Sequence, residues 1–266
     1  MMKIGYNCDP TTEFYEIAAR AGYDYVEAIF CFLAENTAEE IDAIKKKIAK
    51  HGVPILSANC LFPGDFKLLG ENATEKDVLI EYLERGFSNA QSVGIKKVVC
   101  GSGKGRSLPD GYDVEKGMRE LAEIFRMIAD IAVKHGCMIV IEPLNAKETN
   151  ICKTVKEGMA FVELTNHPAV KLLADSYHMR AERESFDTLK DYKSALSHTH
   201  IAEGIEGSTE LRACPSRKDE NNIKSFVYAL KAMGYDDTLT VEANRPEANA
   251  EQRIAESAEV LREWAK

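Results

Sequence analysis

Short apolar runs alternate with longer amphipathic stretches along the whole 266-residue chain. Runs of strand length begin near Lys3, Tyr25, Val53, Lys97, Cys137, Val170, His198 and Thr238. Between them apolar residues recur at helical spacing, as in Ile41, Ile44 and Ile48, or Leu121, Ile124, Phe125, Ile128 and Ile131, a pattern that lines one face of a helix. Thr37-x-x-Glu40 and Thr154-x-x-Glu157 read as capping boxes, in which the hydroxyl accepts from the third amide and the carboxylate reaches back. Gly22, Gly52, Gly94, Gly136 and Gly234 each follow a periodic run, where a residue without a Cβ accommodates the left-handed conformation that ends a helix.

Eight strand–helix repeats with no linker or low-complexity break predict an α/β protein. The expected fold is one (β/α)₈ TIM barrel, a single domain over residues 1–266. A doubly wound open sheet is the competing arrangement, but it usually carries a glycine-rich phosphate turn after the first strand. Here that turn reads Asn7-Cys8-Asp9-Pro10.

Composition narrows the class. The chain is 45% apolar and 29% charged, with 34 basic against 43 acidic residues and a formal net charge of -9. No basic block stands out, so nucleic acid is not an expected partner. No apolar run reaches the length of a membrane span, and the first residues, Met1-Met2-Lys3-Ile4-Gly5-Tyr6, read as a strand and not as a signal segment. Seven cysteines without a C-x-x-C pair are expected as reduced thiols in a cytoplasmic protein. Nothing in the sequence excludes a homo-oligomer.

In a barrel, chemistry gathers where strands end at their C-terminal rim. The fifth run ends in Glu142-Pro143-Leu144-Asn145 and the sixth in Asp175-Ser176-Tyr177-His178. The seventh contains His198-Thr199-His200, and the eighth ends in Glu242-Ala243-Asn244. Four consecutive strands thus bring carboxylate, carboxylate, imidazole and carboxylate to one rim. Buried like charges repel unless a cation joins them, and this oxygen–nitrogen set suits Mn²⁺, Mg²⁺, Co²⁺ or Zn²⁺. His51 and His135 precede helix-ending glycines, and His167 precedes Pro168; none of the three is expected at the site.

The runs Ile141-Glu142-Pro143-Leu144-Asn145, Asp175-x-x-His178, His200-Ile201-Ala202-Glu203 and Val241-Glu242 resemble the xylose-isomerase-like barrels. Within these the chain is most similar to the ketose 3-epimerase branch, which includes D-tagatose and D-psicose 3-epimerases. The resemblance implies a metal-dependent epimerase or isomerase of sugars or sugar phosphates, acting by proton transfer through an enediolate. It places one divalent ion, Mn²⁺ first among the candidates, on Glu142, Asp175, His200 and Glu242, with the two glutamates also serving as acid and base. It assigns substrate contacts to His178, to Arg212 of Arg212-Ala213-Cys214-Pro215, and to Glu148. The branch usually carries Arg where this chain has Ala146 and Gly where it has Ser216, and the segment Gly204 to Leu211 is longer than the branch's usual connection.

Rival functions are separable in part. An abasic-site endonuclease shares this barrel but adds histidines on strands three and four, where this chain has Ser57-Ala58-Asn59-Cys60 and Val98-Val99-Cys100-Gly101. Hydroxypyruvate isomerisation or keto-inositol dehydration would begin with the same enediolate, so motifs do not divide them from epimerisation. A non-catalytic sugar-binding protein would not need the full ligand set. The run Cys100-Gly101-Ser102-Gly103-Lys104-Gly105-Arg106-Ser107 lacks P-loop spacing; it reads as a mobile rim loop, with a cradle for a substrate phosphate as the competing reading. Glu27 is expected to end strand two at the mouth, either behind the site or in a plain buried pair.

Overall fold

A computed structural model describes residues 1–204, 212–219, 222–243 and 249–266. Eight parallel strands close a barrel: β1 (Lys3–Asn7), β2 (Tyr25–Ile29), β3 (Ile55–Asn59), β4 (Lys97–Cys100), β5 (Met138–Ile141), β6 (Val170–Asp175), β7 (Leu196–Ile201) and β10 (Thr238–Val241). Beyond β7 a small antiparallel ribbon pairs β8 (Glu203–Gly204) with β9 (Arg212–Ala213). The fold is the expected (β/α)₈ barrel. The third, fifth and seventh strands begin at Ile55, Met138 and Leu196, within two residues of the sequence-based starts. Residues 205–211, most of the long segment after β7, and Asn244 lie outside the described residues.

The helical signals behave as their chemistry requires. Thr37 and Glu40 form a reciprocal capping box. Thr154 accepts from the Glu157 N–H, but the Glu157 carboxylate accepts from the Lys153 N–H, one residue earlier than a strict box. Gly22, Gly52, Gly94, Gly136 and Gly234 all have positive φ. Among the described residues no helix is long and apolar enough to cross a membrane, and all seven cysteines are free.

Side chains on a strand alternate between its faces, and that parity sorts the barrel. Val26, Ala28, Ile139, Ile141, Leu172, Ile201, Leu239 and Val241 face outward into the core shared with the helices. Val99, Val140 and Leu173 form a separate inner cluster. The rest of the interior is polar: Glu27, Ser57, His198 and Thr240 are fully buried, and the Tyr25 hydroxyl lies 2.6 Å from Thr240 Oγ1. Gly5 makes room for that tyrosine, since a Cβ there would stand 2.2 Å from its ring. By the same parity Asn59, Glu142, Asp175, His200 and Glu242 all point inward from the C-terminal strand ends.

Two sequence-based expectations are corrected. Glu27 sits in the middle of β2, in the layer below the mouth, because the strand runs on to Ile29. The glycine-rich run after β4 is not a loose loop: Gly103–Arg106 forms a helical turn. Lys104 is exposed, whereas Arg106 is 1% exposed and donates to the Glu142 carbonyl at 2.6 Å. Its guanidinium ties the ends of β4 and β5 together from inside and is not available to a phosphate at the rim.

Candidate metal centre

Glu142 follows β5 directly, Asp175 ends β6, His200 is the fifth residue of β7, and Glu242 follows β10. Each offers one donor atom, and these atoms lie within 4.8 Å of one another. Small side-chain shifts would let one ion span them at the ~2.0–2.2 Å typical of such ligands. His200 Nδ1 faces the cluster, 2.9 Å from Glu142 Oε1 and 3.6 Å from Glu242 Oε2. Asp175 Oδ1 accepts from the Tyr177 N–H at 2.7 Å, while its buried Oδ2 has no hydrogen-bond partner among the described residues. An orphaned carboxylate oxygen aimed at three other ligand-type atoms fits a cation, because burying unbalanced carboxylates costs several kcal/mol per charge.

The electrostatics agree. Burial pushes the Glu142 carboxyl up to about 7, with Glu242 and Asp175 adding repulsion and His200 opposing it. Burial likewise raises Asp175, against the pull of Arg212. For His200 burial disfavours the charge, yet Glu27, Glu242 and Glu142 around it raise its pKa well above the ordinary imidazole value. The cluster therefore binds positive charge, in the form of protons, more tightly than its parts would alone.

Arg212, on β9, supplies a second source of that charge. Its Nη1 bonds Glu242 Oε2 and lies 3.8 Å from Asp175 Oδ2. Its guanidinium stacks over the Tyr177 ring at 4.4 Å, an arrangement that fixes a flexible side chain. Arg212 Nη2 is 2.9 Å from His178 Nε2. His178 Nδ1 accepts from Asn145 through both its backbone N–H and its side-chain amide, each at 3.0 Å. The neutral ring therefore carries its proton on Nε2, and burial, with Arg212 nearby, holds its pKa well below the usual value. Nε2 and Nη2 are then both donors; they cannot bond each other, but they can share one oxygen acceptor.

Glu148, exposed in the loop after β5, accepts from Asn145 Nδ2 at 2.9 Å and stands 3.6 Å from Arg212 Nη2. The structure thus gathers all seven sequence-assigned residues at one mouth. Of the departures from the branch pattern, Ser216 uses its side chain: its hydroxyl, with its N–H, donates to the buried Glu203 carboxylate. The Ala146 N–H donates to Glu182 at 2.7 Å, a main-chain bond that does not explain the alanine.

Three further residues support the site in roles that the sequence does not reveal. Asn59 donates to Glu242 Oε1, Asn145 fixes the His178 tautomer, and Arg106 braces Glu142. The signal for Arg106 and Asn59 was weak, since each is a polar residue next to a turn. Asn145 lies within the Glu142-Pro143-Leu144-Asn145 run, where nothing local marks its contact with His178, 33 positions on.

Comparison with known proteins places this geometry in context. The profile of the xylose isomerase-like TIM barrel matches residues 15–264. The chain is 29% identical over 200 residues to the D-psicose 3-epimerase of Agrobacterium fabrum, covering 71% of this chain and 66%, just under two thirds, of that one. It is 24% identical over 237 residues to a probable ketose 3-epimerase of Synechocystis sp., covering 86% of this chain and 77% of the relative. The solved D-allulose 3-epimerase of Methylomonas sp. superposes with a TM-score of 0.79 over 99% of this chain and 98% of its own, at 18% identity, a likeness of fold. With a closed parallel barrel and a profile match running almost from end to end, the chain belongs to the xylose isomerase-like TIM barrel family.

Proposed function

We propose that the protein is a divalent-metal-dependent ketose 3-epimerase acting on a small sugar or sugar phosphate. The observation that carries this reading is the joint geometry of four convergent ligand-type residues and, beside them, two donors aimed at one point. Kinship with 3-epimerases supports the substrate class.

In this reading Glu142, Asp175, His200 and Glu242 would hold the ion, with Mn²⁺ the first candidate. The cation would supply Lewis-acid stabilisation of the negative charge that develops on the substrate oxygens. His178 Nε2 and Arg212 Nη2 hold one substrate oxygen between them, and Glu148 accepts from a sugar hydroxyl. Glu142 and Glu242 come from strand ends three steps apart around the rim, so they address opposite faces of a substrate carbon. One takes the carbon-bound proton, an enediolate forms, and the other returns a proton to the opposite face, inverting the centre. Asn59 holds Glu242 in orientation for its half of that exchange.

Turnover of ketoses, free and phosphorylated, in D₂O by the Mn²⁺-loaded protein tests the reading. Deuterium should enter at the epimerised carbon, and Glu142→Gln or Glu242→Gln should lower the rate by at least ~10²-fold, the scale of losing a general acid or base. Product formation with the original hydrogen retained at the epimerised carbon would rule out the two-carboxylate route. Absence of turnover on every ketose offered, alongside turnover of hydroxypyruvate or a keto-inositol, would move the chain to another reaction of the same enediolate.

A further inference from the structure

Below the rim, the barrel interior holds a carboxylate clamped between two imidazoles. Glu27 Oε2 accepts from Ser57 Oγ at 2.7 Å and lies 2.6 Å from His198 Nε2. Its other oxygen, Oε1, lies 2.8 Å from His200 Nε2, a contact that a small ring rotation would align as a hydrogen bond. Glu27, Ser57, His198 and His200 are all 0% exposed. On the far side His198 Nδ1 is 2.6 Å from Thr238 Oγ1, and Lys97 Nζ donates to that same hydroxyl at 3.0 Å.

The direction of this chain follows from the carboxylate. The Glu27 carboxylate can only accept, so His198 Nε2 carries the proton that it donates to Oε2; the neutral ring's Nδ1 then accepts from the Thr238 hydroxyl, whose oxygen accepts in turn from Lys97 Nζ. The remaining contact, from His200 Nε2, likewise requires the proton on that nitrogen. With the Nε2 proton held by Glu27, Nδ1 is the nitrogen that faces Glu142, 2.9 Å from its Oε1, and whose proton a cation among Glu142, Asp175 and Glu242 would displace to take the lone pair.

We propose that Glu27 is a positioning residue for the metal centre: it fixes the tautomer and ring orientation of His200 so that Nδ1 is presented as the ligand. The inference rests on the reading of the four-residue cluster as a metal site. It explains why a charged group lies in a layer that barrels ordinarily fill with branched apolar side chains. It also accounts for His198, which aligns Glu27 and is not itself a ligand. A second ion seated among Glu27, His198 and His200 would have to displace the protons that these short contacts carry.

Metal-stripped wild-type protein and Glu27→Gln are titrated with Mn²⁺ by calorimetry. Glutamine keeps the shape but offers one acceptor where glutamate offers two, so it cannot serve both histidines. The expected result is one equivalent bound by each protein, with the variant ~10–100-fold weaker, the usual cost of losing a group that orients a ligand. Affinity within threefold of wild type overturns the proposal. So does a second equivalent in wild type that the variant lacks, which would mark a second metal site. Failure of the wild type to bind Mn²⁺ overturns the four-residue metal site itself, and the proposal with it. If Glu27→Gln does not fold, ¹⁵N-histidine NMR of the Zn²⁺-loaded wild type decides: His200 should show a metal-bound Nδ1 and a protonated Nε2, and the opposite assignment overturns the proposal.

Discussion

The side-chain amide of Asn59, at the end of β3, donates a 2.8 Å hydrogen bond to Glu242 Oε1 beyond the end of β10, bridging the mouth between residues 183 positions apart. In the proposed reaction Glu242 both holds the cation and moves a proton, so its orientation bears on both. Asn59→Ala leaves a charged acceptor without this partner, a loss of about 1–3 kcal/mol. It should lower kcat by roughly 5- to 150-fold on the scale of 1.36 kcal/mol per decade, while one equivalent of metal is retained. Unchanged kcat at saturating metal and substrate would show that Glu242 does not depend on this bond.

Gly101 clears space for a ligand. A Cβ at this position would lie 2.4 Å from Glu142 Oε2 and 3.4 Å from Leu144 Cδ2. Gly101→Ala should push the Glu142 carboxylate off the other three ligands and weaken Mn²⁺ binding by ~10-fold or more, with the barrel intact by circular dichroism. Calorimetric titration of the variant checks this. Wild-type affinity would mean that Glu142 is not held where a Cβ excludes it.

Arg106 decides how the glycine-rich turn is to be read. Its buried guanidinium bonds the Glu142 carbonyl, so its loss should act on stability. Arg106→Met is expected to cost about 1–3 kcal/mol from the deserted carbonyl, seen as a lowered Tm of the metal-stripped protein. Any fall in activity should be equal for free and phosphorylated ketoses, and Lys104→Ala should likewise not discriminate between them. A selective loss on phosphorylated substrates would restore the phosphate cradle.

The protonation of the cluster predicts a pH dependence of metal binding. Glu142 and Asp175 have raised pKa values, and so does His200. All three bind protons more tightly in the fold than when unfolded. Their contribution to stability in the metal-stripped protein is therefore largest at low pH and declines as pH rises, for Glu142 between 4.5 and about 7. A divalent ion must displace these protons, so the rise in Tm on adding saturating Mg²⁺ or Mn²⁺ should grow from pH 5.5 to 7.5. A metal-induced shift that is constant or shrinks over that range would place the ion elsewhere.

Much of this protein was legible along the chain. Strand-end residues such as Glu142, Asp175 and Glu242 stand out because each closes an apolar run, and in a barrel every strand ends on the same rim. The period of two within His198-Thr199-His200 puts both imidazoles inside, and the helix-ending glycines mark where amphipathic runs stop. Those signals are local, set by backbone geometry and by which side chains water excludes. Tertiary structure alone decided the partners. Glu27 meets His198 across 171 positions, and Asn59 meets Glu242 across 183. Arg106, which as a sequence letter suggested an exposed cation, turns inward to a carbonyl. These contacts depend on closing the barrel, which brings inward-facing residues of distant strands into one layer where an unpaired polar atom is costly. No local pattern records which two residues will share that layer.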